Sequence, residues 1–390
     1  MNSGPTSRSQ VAKDLQLNKV TVSDIFSQLI DEGYLEELGA GAGSQAGGRK
    51  PTLYRFDPHF GYVISFDLGF HATDMSVSTL DGQVLQSGNF WGEGAALTER
   101  LALMLAKIQA YQRQPVTQTR HGLMGVAIGI HGIVYQNRIL DSPFLATTDV
   151  DIAAYFQQAL HVPVVLENEA NLAALYARDF TQLATAQQDL VALSIHKGIG
   201  AGVVINGQLF RGAQGGAGEV GRTFVEPDAA GEPIKIETLC SEDAVMAQLR
   251  EALGDPALTE KAVALRYQAD DVKVQQVLSQ FATYLAMVVH NLVATYDPKI
   301  VVINSTLMAQ IPRLLAVVAS EVQRFGSQVR LTLCQDVDHA VTLGGTALIV
   351  HQVLGMGRRS CISKTRERAD GTRERVKSLP KLIDSAFAMC

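Results

Sequence analysis

Apolar positions along this chain switch between two spacings, and each switch marks a boundary. Residues 8–30, "RSQVAKDLQLNKVTVSDIFSQLI", carry apolar side chains at helical intervals in two short blocks. Val11, Ala12 and Leu15 share one face, while Val20, Val22, Ile25, Phe26, Leu29 and Ile30 populate the second. "QLN" suits a tight turn between the blocks, Asn18 is placed to cap the second helix, and Gly33 ends it. "YLEEL" then reads as a strand, "GAGAGSQAGGRKP" as a loop and "TLYRFDP" as the returning strand.

Beyond Pro58 the pattern becomes that of a larger unit. "YVISFDLG", "ATDMSVSTL" and "GQVLQSG" predict three consecutive strands, followed by a helix from about Leu97 to Gln112. "GLMGVAIGIHGIV" predicts an apolar strand with a glycine-rich end, and a helix follows over 151–160. The buried strand "VPVVLEN" leads into the helix "EANLAALYARDF". "LVALSIHKGIGAGVVINGQLF" reads as two apolar strands around a glycine loop. A long amphipathic helix over 272–296, the strand "KIVVIN" and a helix in "VTLGGTALIVHQVL" complete the pattern. A strand triplet followed by helix–strand alternation, twice over, predicts an α/β body of two lobes with a cleft between them.

Charge distribution changes this picture at the ends. Residues 61–355 hold 18 Lys/Arg against 28 Asp/Glu, residues 1–60 hold six against seven, and residues 356–390 hold nine against four. The acidic body is a poor nucleic-acid surface, so any DNA contact belongs to an end. The tail from Met356 is basic, polar and weakly periodic, which predicts disorder. The four cysteines, Cys240, Cys334, Cys361 and Cys390, are far apart and form no Cys-x-x-Cys pair. No apolar run reaches membrane-spanning length and no signal peptide opens the chain, so it reads as cytoplasmic.

Two helices, a turn and a β-hairpin over residues 1–58 read as a winged helix-turn-helix, with the helix that should precede "RSQVA" cut short. In that arrangement the second helix offers Asn18, Lys19, Thr21, Ser23 and Asp24 to a major groove. The glycine-rich hairpin tip brings Arg49 and Lys50 to phosphates or the minor groove.

Two segments then become specific. "LENEANLAALYAR", taken with "GIGAGVVINGQLFRGAQGGAGEVG", resembles the paired signatures of the ROK family, which groups bacterial sugar kinases with sugar-responsive repressors. The winged helix ahead of "GGRKPTLYRFDP" resembles the repressor branch, and "ENEAN" is similar to its xylose-repressor type. The resemblance implies an actin/hexokinase-like (ribonuclease H-like) body with a sugar at the lobe interface and, in the kinases, ATP beside it.

Against that pattern the nucleotide elements look eroded. The kinases' Asp-x-Gly-Gly-Thr loop is Asp67-Leu68-Gly69-Phe70-His71 here, and a side chain at Phe70 obstructs backbone amides that would cradle a phosphate. The second loop, "KGIGAG" at 197–202, is intact and reads equally as a phosphate site or a glycine turn between core strands. The glycine pair on the adenosine side is replaced by Asn304-Ser305. The catalytic aspartate is Glu169, a methylene longer, and a misplacement of about 1 Å costs about a hundredfold in rate. Glu169 therefore reads as a ligand for a sugar hydroxyl rather than a base.

The sugar side is better kept. The resemblance places Asn168, Glu169, Glu219 and Glu237 around sugar hydroxyls, while His131 departs from a proline-glycine turn. Arg222 stands where the family's metal-binding histidine would be, and "DAAGEPIK" replaces its cysteines, so no metal site is expected. Arg222 joins the expected sugar-contacting set, either pairing with Glu219 or recruiting an acidic sugar.

The chain thus reads as a winged helix-turn-helix (1–58), lobe one (59–160 plus 340–355), lobe two (161–339) and a basic tail (356–390). The expected partners are operator DNA and a pentose or hexose effector, xylose first, with no cofactor and a homodimer or dimer of dimers. Two rivals stand beside this repressor: a sugar kinase with an accessory head, and a regulator that has lost its ligand.

Overall fold

The computed structural model describes residues 4–41, 50–91, 96–114, 119–143, 145, 150–181, 189–227 and 231–355, with two strand segments at 365–367 and 373–375. The amino-terminal head contains β1 (Thr6–Ser7), α1 (Arg8–Asp14), α2 (Lys19–Asp31), β2 (Leu35–Ala40) and β3 (Thr52–Phe56), with β3 between the other two strands. The Ser7 hydroxyl accepts from Gln10 N at 3.2 Å and Asn18 Oδ1 from Val20 N at 2.9 Å, so each helix starts on a polar cap. Val11, Ala12, Val22, Ile25, Phe26, Leu29, Leu35 and Tyr54 form the head's core. Val20 does not join it. At about 100° per residue it lies on the side of the helix away from Val22, and it is 66% exposed. The head continues into the body through aromatic contacts. Tyr34 stacks on Phe60 at 4.3 Å, Phe60 meets His121 at 4.3 Å, and Asp57 N donates to Tyr34 O at 2.8 Å.

Lobe one is built on β4 (Tyr62–Leu68), β5 (Ala72–Thr79) and β6 (Val84–Trp91), an antiparallel triplet followed by α3 (Leu97–Gln112). Next come β7 (Leu123–Ile130), the small hairpin β8 (Ile133–Tyr135) and β9 (Arg138–Asp141), α4 (Ile152–Leu160) and β10 (Val164–Asn168). The sheet order is β10-β7-β4-β5-β6. A lobe boundary at 161 is therefore too early: β10 pairs in parallel with β7, Val164 opposite Val126 through Asn168 opposite Ile130. That pairing keeps the strand in lobe one, because the α4 crossover returns the chain to the sheet it left.

After α5 (Glu169–Asp179), lobe two repeats the scheme with β11 (Leu190–Ile195), β12 (Ile199–Ile205) and β13 (Gln208–Leu209). A short hairpin, β14 (Phe224–Pro227) and β15 (Pro233–Lys235), precedes α6 (Glu237–Cys240), α7 (Glu242–Leu253), α8 (Glu260–Gln268) and α9 (Val272–Tyr296). The chain then forms β16 (Ile300–Ser305), α10 (Thr306–Gln310), α11 (Leu314–Arg324), β17 (Arg330–Leu333) and α12 (Ala340–Val353). The sheet order is β13-β12-β11-β16-β17, again an antiparallel triplet extended by parallel strands. By length and composition α9 is apolar enough to cross a membrane, contrary to the sequence expectation. Its Leu278, Phe281, Ala282, Leu285 and Val289 are instead packed in the core of lobe two. Within the tail expected to be disordered, Thr365–Glu367 pairs antiparallel with Arg373–Arg375, placing Arg366 opposite Glu374 and Glu367 opposite Arg373.

The last helix ties the units together. α12 packs on β4 and β7 of lobe one, α5 packs on β11 and β12 of lobe two, and the two helices pack on each other. A Cβ on Gly344 would lie 1.9 Å from the Leu172 carbonyl oxygen, so only glycine allows this approach. The far end of α12 supplies Ile349, Val350 and Leu354 to a cluster that also holds Phe56 and Phe60. Gly344→Ala gains helix propensity yet forces the helices apart, and the expected net loss is about 2 kcal/mol or more of unfolding free energy. Urea titration measures it; an unchanged midpoint would show that the two helices separate without strain.

Candidate functional site

The start of α5 organises the cleft. Asn168 Oδ1 accepts from Asn171 N at 3.1 Å and its Nδ2 donates to Gly132 O at 2.9 Å, so both ends of this side chain position backbone. Glu167, one residue earlier, is buried. Its Oε1 accepts from Asn168 N and Asn171 Nδ2, and its Oε2 accepts from Arg211 Nε at 2.7 Å. Arg211 follows β13, so this ion pair crosses from one lobe to the other. Neither residue was singled out from sequence; the first glutamate of "ENE" reads as an ordinary strand-end residue.

Glu169 is the first residue of α5 and is 7% exposed. Its Oε2 has no hydrogen-bond partner among the described residues. Leaving a carboxylate oxygen buried and unsatisfied costs free energy, and a donor entering the cleft would relieve it. Two histidines feel its charge. Burial alone would lower the His131 pKa, but the hydrogen-bonded Asp67 carboxylate (Nε2 to Oδ1, 3.0 Å) and then Glu169 raise it to about 9. For His196 burial also pulls the pKa down, and Glu242, 3.9 Å away, together with Glu169 reverses the effect and raises it.

Glu219 and Glu237 face the same region from lobe two. Burial raises the Glu219 pKa, Arg222 opposes it, and the charges of Glu237, Asp141 and Glu169 push it further up. Glu169 and Glu237 are therefore both within electrostatic reach of Glu219, as their spacing in sequence does not suggest. A Cβ on Gly221 would lie 2.7 Å from Glu237 Oε2, which places that carboxylate against the short turn carrying Arg222. Arg222 forks across the cleft mouth: Nε meets Glu219 Oε2 at 2.8 Å and Nη2 meets Asp141 Oδ2, on lobe one, at 2.6 Å. The pairing with Glu219 matches one of the two sequence expectations; Asp141 was not foreseen.

Protein contacts fill the other side of the cleft. Asp67 pairs with His131, while Arg100 Nη2, reaching from α3, donates to Gly69 O at 2.7 Å and Thr73 Oγ1 at 2.9 Å. Lys197 Nζ lies 3.3 Å from the centre of the Phe70 ring, closing the first loop of lobe one onto the glycine turn of lobe two. Within that turn a Cβ on Gly202 would stand 2.1 Å from Ala170 O, so this glycine serves close packing on α5. Asn304 and Ser305 are buried. Ser305 Oγ donates to Glu242 Oε1 at 2.5 Å, Leu307 N donates to the same oxygen at 2.9 Å, and Asn304 Nδ2 lies 3.5 Å from His196 Nε2.

The remaining expected residues lie elsewhere. A zinc ion does not suit the residues near Arg222: a guanidinium held by two carboxylates stands where a ligand would be. Cys240 is fully buried, its Sγ donates to Ile236 O at 3.5 Å, and burial pushes its thiol up to about 12. Lys19, Thr21 and Asp24 are exposed on α2, Ser23 is half-buried, and Asn18 is used as the cap. Lys50 is exposed, and Arg49 lies outside the described residues.

Two lobes of repeated topology, each an antiparallel triplet extended by parallel strands, with carboxylates between them, define an actin/hexokinase-like (ribonuclease H-like) fold carrying a winged helix-turn-helix. The sequence profile of the ROK family matches residues 63–352, and the chain belongs to that family. It is 38% identical over 359 residues to the xylose repressor of Lactiplantibacillus pentosus, covering 91% of each chain. A solved ROK family transcriptional regulator, described as a homologue of the Escherichia coli MLC protein, superposes with a TM-score of 0.74. That match has 20% identity and covers 90% of this chain and 93% of the other. A ROK family glucokinase from Streptomyces griseus, solved with glucose and AMPPNP, gives 0.65 at 19% identity, covering 74% of this chain and 99% of its own.

The Asp67–His131 pair gives the fold a pH signature. An imidazole whose pKa is raised from 6.5 to about 9 on folding stabilises the fold fully below pH 6.5 and loses that contribution as pH rises toward 9. Between pH 6.5 and 8.5, below the range where the buried thiols ionise, the expected loss is about 2 kcal/mol. Asp67→Asn should flatten that slope in denaturant titrations at each pH. A variant slope as steep as that of the parent would assign the proton to another group.

Proposed function

We propose that this chain is a sugar-responsive transcriptional repressor of carbohydrate metabolism, with xylose as its effector. The observation that carries the reading is the Glu169 carboxylate, buried at the start of α5 with an unsatisfied oxygen, in a cleft whose body bears a DNA-binding head. The similarity to a named xylose repressor over 91% of both chains supports it and supplies the sugar.

The charge of the site selects the ligand class. Glu169, Glu219 and Glu237 are the acidic groups of the site; Arg222 already meets Glu219 and Asp141, and Asp67 is paired with His131. An acidic sugar or sugar phosphate would meet these carboxylates, and the Arg222 guanidinium is already held by Glu219 and Asp141. A neutral aldose donates hydroxyl protons to Glu169, Glu219 and Glu237 and fits. Asn168 acts by holding the start of α5 in place, since both ends of its amide bond backbone.

The reading is non-enzymatic. Lys197 over Phe70 occupies the region where the phosphate loops would face each other, and Asn304 and Ser305 bond to His196 and Glu242 instead of leaving glycine room. The protein works in the cytoplasm as a homodimer or dimer of dimers. Sugar drawn between lobes tightens the cleft, α5 carries the shift to α12, and α12 passes it through Phe56 and Phe60 to the head. The two heads then no longer meet both operator half-sites.

Calorimetric and thermal-shift titrations with xylose, glucose, glucuronate, glucose 6-phosphate and ATP test the ligand side. Xylose should stabilise the fold by about 2.7 kcal/mol at a hundred times its Kd, and Glu169→Ala should abolish this. Anionic sugars and ATP should do nothing. ATP-dependent turnover of an aldose, lost in Glu169→Gln, would make the protein a kinase; a blank panel would make it a ligand-blind regulator.

DNA binding should weaken steeply with salt. Arg49→Gln with Lys50→Gln is expected to lower affinity on every sequence and to flatten the salt slope by about two phosphate contacts. Full operator affinity in a fragment starting at Gly61 would contradict the assignment to the head.

A further inference from the structure

The recognition helix carries one side chain that neither the core nor its polar surroundings account for. α2 buries Val22, Ile25, Phe26 and Leu29 and exposes Lys19, Val20, Thr21, Asp24, Ser27 and Asp31. Among the exposed residues Val20 alone is apolar, and it is 66% exposed on the first turn. It adds nothing to the helix, because a β-branched residue there is a poorer helix former than alanine. It adds nothing to the head's core, which lies on the opposite face. Its backbone is held firmly: Val20 N donates to Asn18 Oδ1 at 2.9 Å, and the branched side chain has few rotamers to lose.

In a helix-turn-helix the first turn of the second helix is the part that meets base edges. An isopropyl group there faces a restricted choice. Against guanine, adenine or cytosine it would cover a donor or acceptor that it cannot satisfy, whereas thymine presents a C5-methyl group in the major groove. We infer that Val20 is a specificity-determining residue that reads a thymine methyl in each operator half-site, flanked by Thr21 and Asp24 for polar edges and by Lys19 for a phosphate. The inference rests on the operator-binding reading above and adds the chemical group recognised.

The test begins with an operator recovered by selection from random duplexes with the full-length protein. Each thymine is then replaced singly by deoxyuridine, which removes the methyl group and keeps the hydrogen-bonding pattern and charge. One thymine per half-site should lose about four- to tenfold in affinity, the worth of roughly one to two buried methyl groups. Val20→Ala, at an exposed position, should fold normally and retain the parent's salt slope. It should bind the thymine operator more weakly by a similar factor and be indifferent to uracil at that position. Val20→Thr, which keeps one methyl group in the same place, should recover part of the discrimination. If Val20→Ala keeps the full uracil penalty, or if no thymine is methyl-sensitive in the parent, Val20 does not read that group. If the parent selects no duplex at low salt, the DNA-binding reading fails first and this inference with it.

Discussion

The approach of α12 to α5 is the constraint on which the rest of the molecule depends. One helix lies on each lobe's sheet, and the two meet where Gly344 faces the Leu172 carbonyl. Because the contact is between backbones, it has no soft side chain to absorb a shift, and interiors packed at this density pass displacement on rather than dissipate it. Glu169 begins α5, and the far end of α12 lies in the cluster holding Phe56 and Phe60. The Glu169 end of the cleft and the amino-terminal head are thus joined by two helices in contact.

The cleft residues that differ from the kinase pattern are engaged with other parts of the protein. Phe70 does more than block a backbone amide: its ring receives Lys197 from the opposite lobe. Ser305 caps α10 and donates to Glu242, which in turn is placed beside His196. Arg222 links Glu219 to Asp141 across the mouth. Each of these side chains is held by another part of the protein. Glu169 Oε2, like Asn171 Oδ1 and Asn304 Oδ1, is buried without a hydrogen-bond partner among the described residues, and it is the one carboxylate oxygen of that group.

Much of the fold was legible because its signals are local. The periods place α3, α5, α9 and α12 within a residue or two, and the glycine hairpin of lobe two falls where "KGIGAG" lies. Asn18 as a cap is equally local. Two positions are not legible in this way. Val20 sits two positions from Val22 in an apolar block, yet on a helix it points the other way and is exposed. The lobe boundary was set before β10, since nothing in "VPVVLEN" says which sheet it joins. Within the site, Glu169 and Glu237 lie within electrostatic reach of Glu219, while Glu167–Arg211, Asp67–His131 and Arg222–Asp141 are pairs separated by 44 to 81 positions. Pairings at that range are set by tertiary geometry and leave no trace in spacing.

The aromatic joint between head and body has a mechanical meaning. Tyr34, which directly follows the helix-ending Gly33, stacks on Phe60, and Phe60 rests on His121. A head on a flexible tether would have to surrender its orientational freedom each time it met DNA. A head seated on stacked rings has surrendered most of it already, during folding. Its orientation on the body is therefore set by ring packing at Phe60 rather than by the length of a tether.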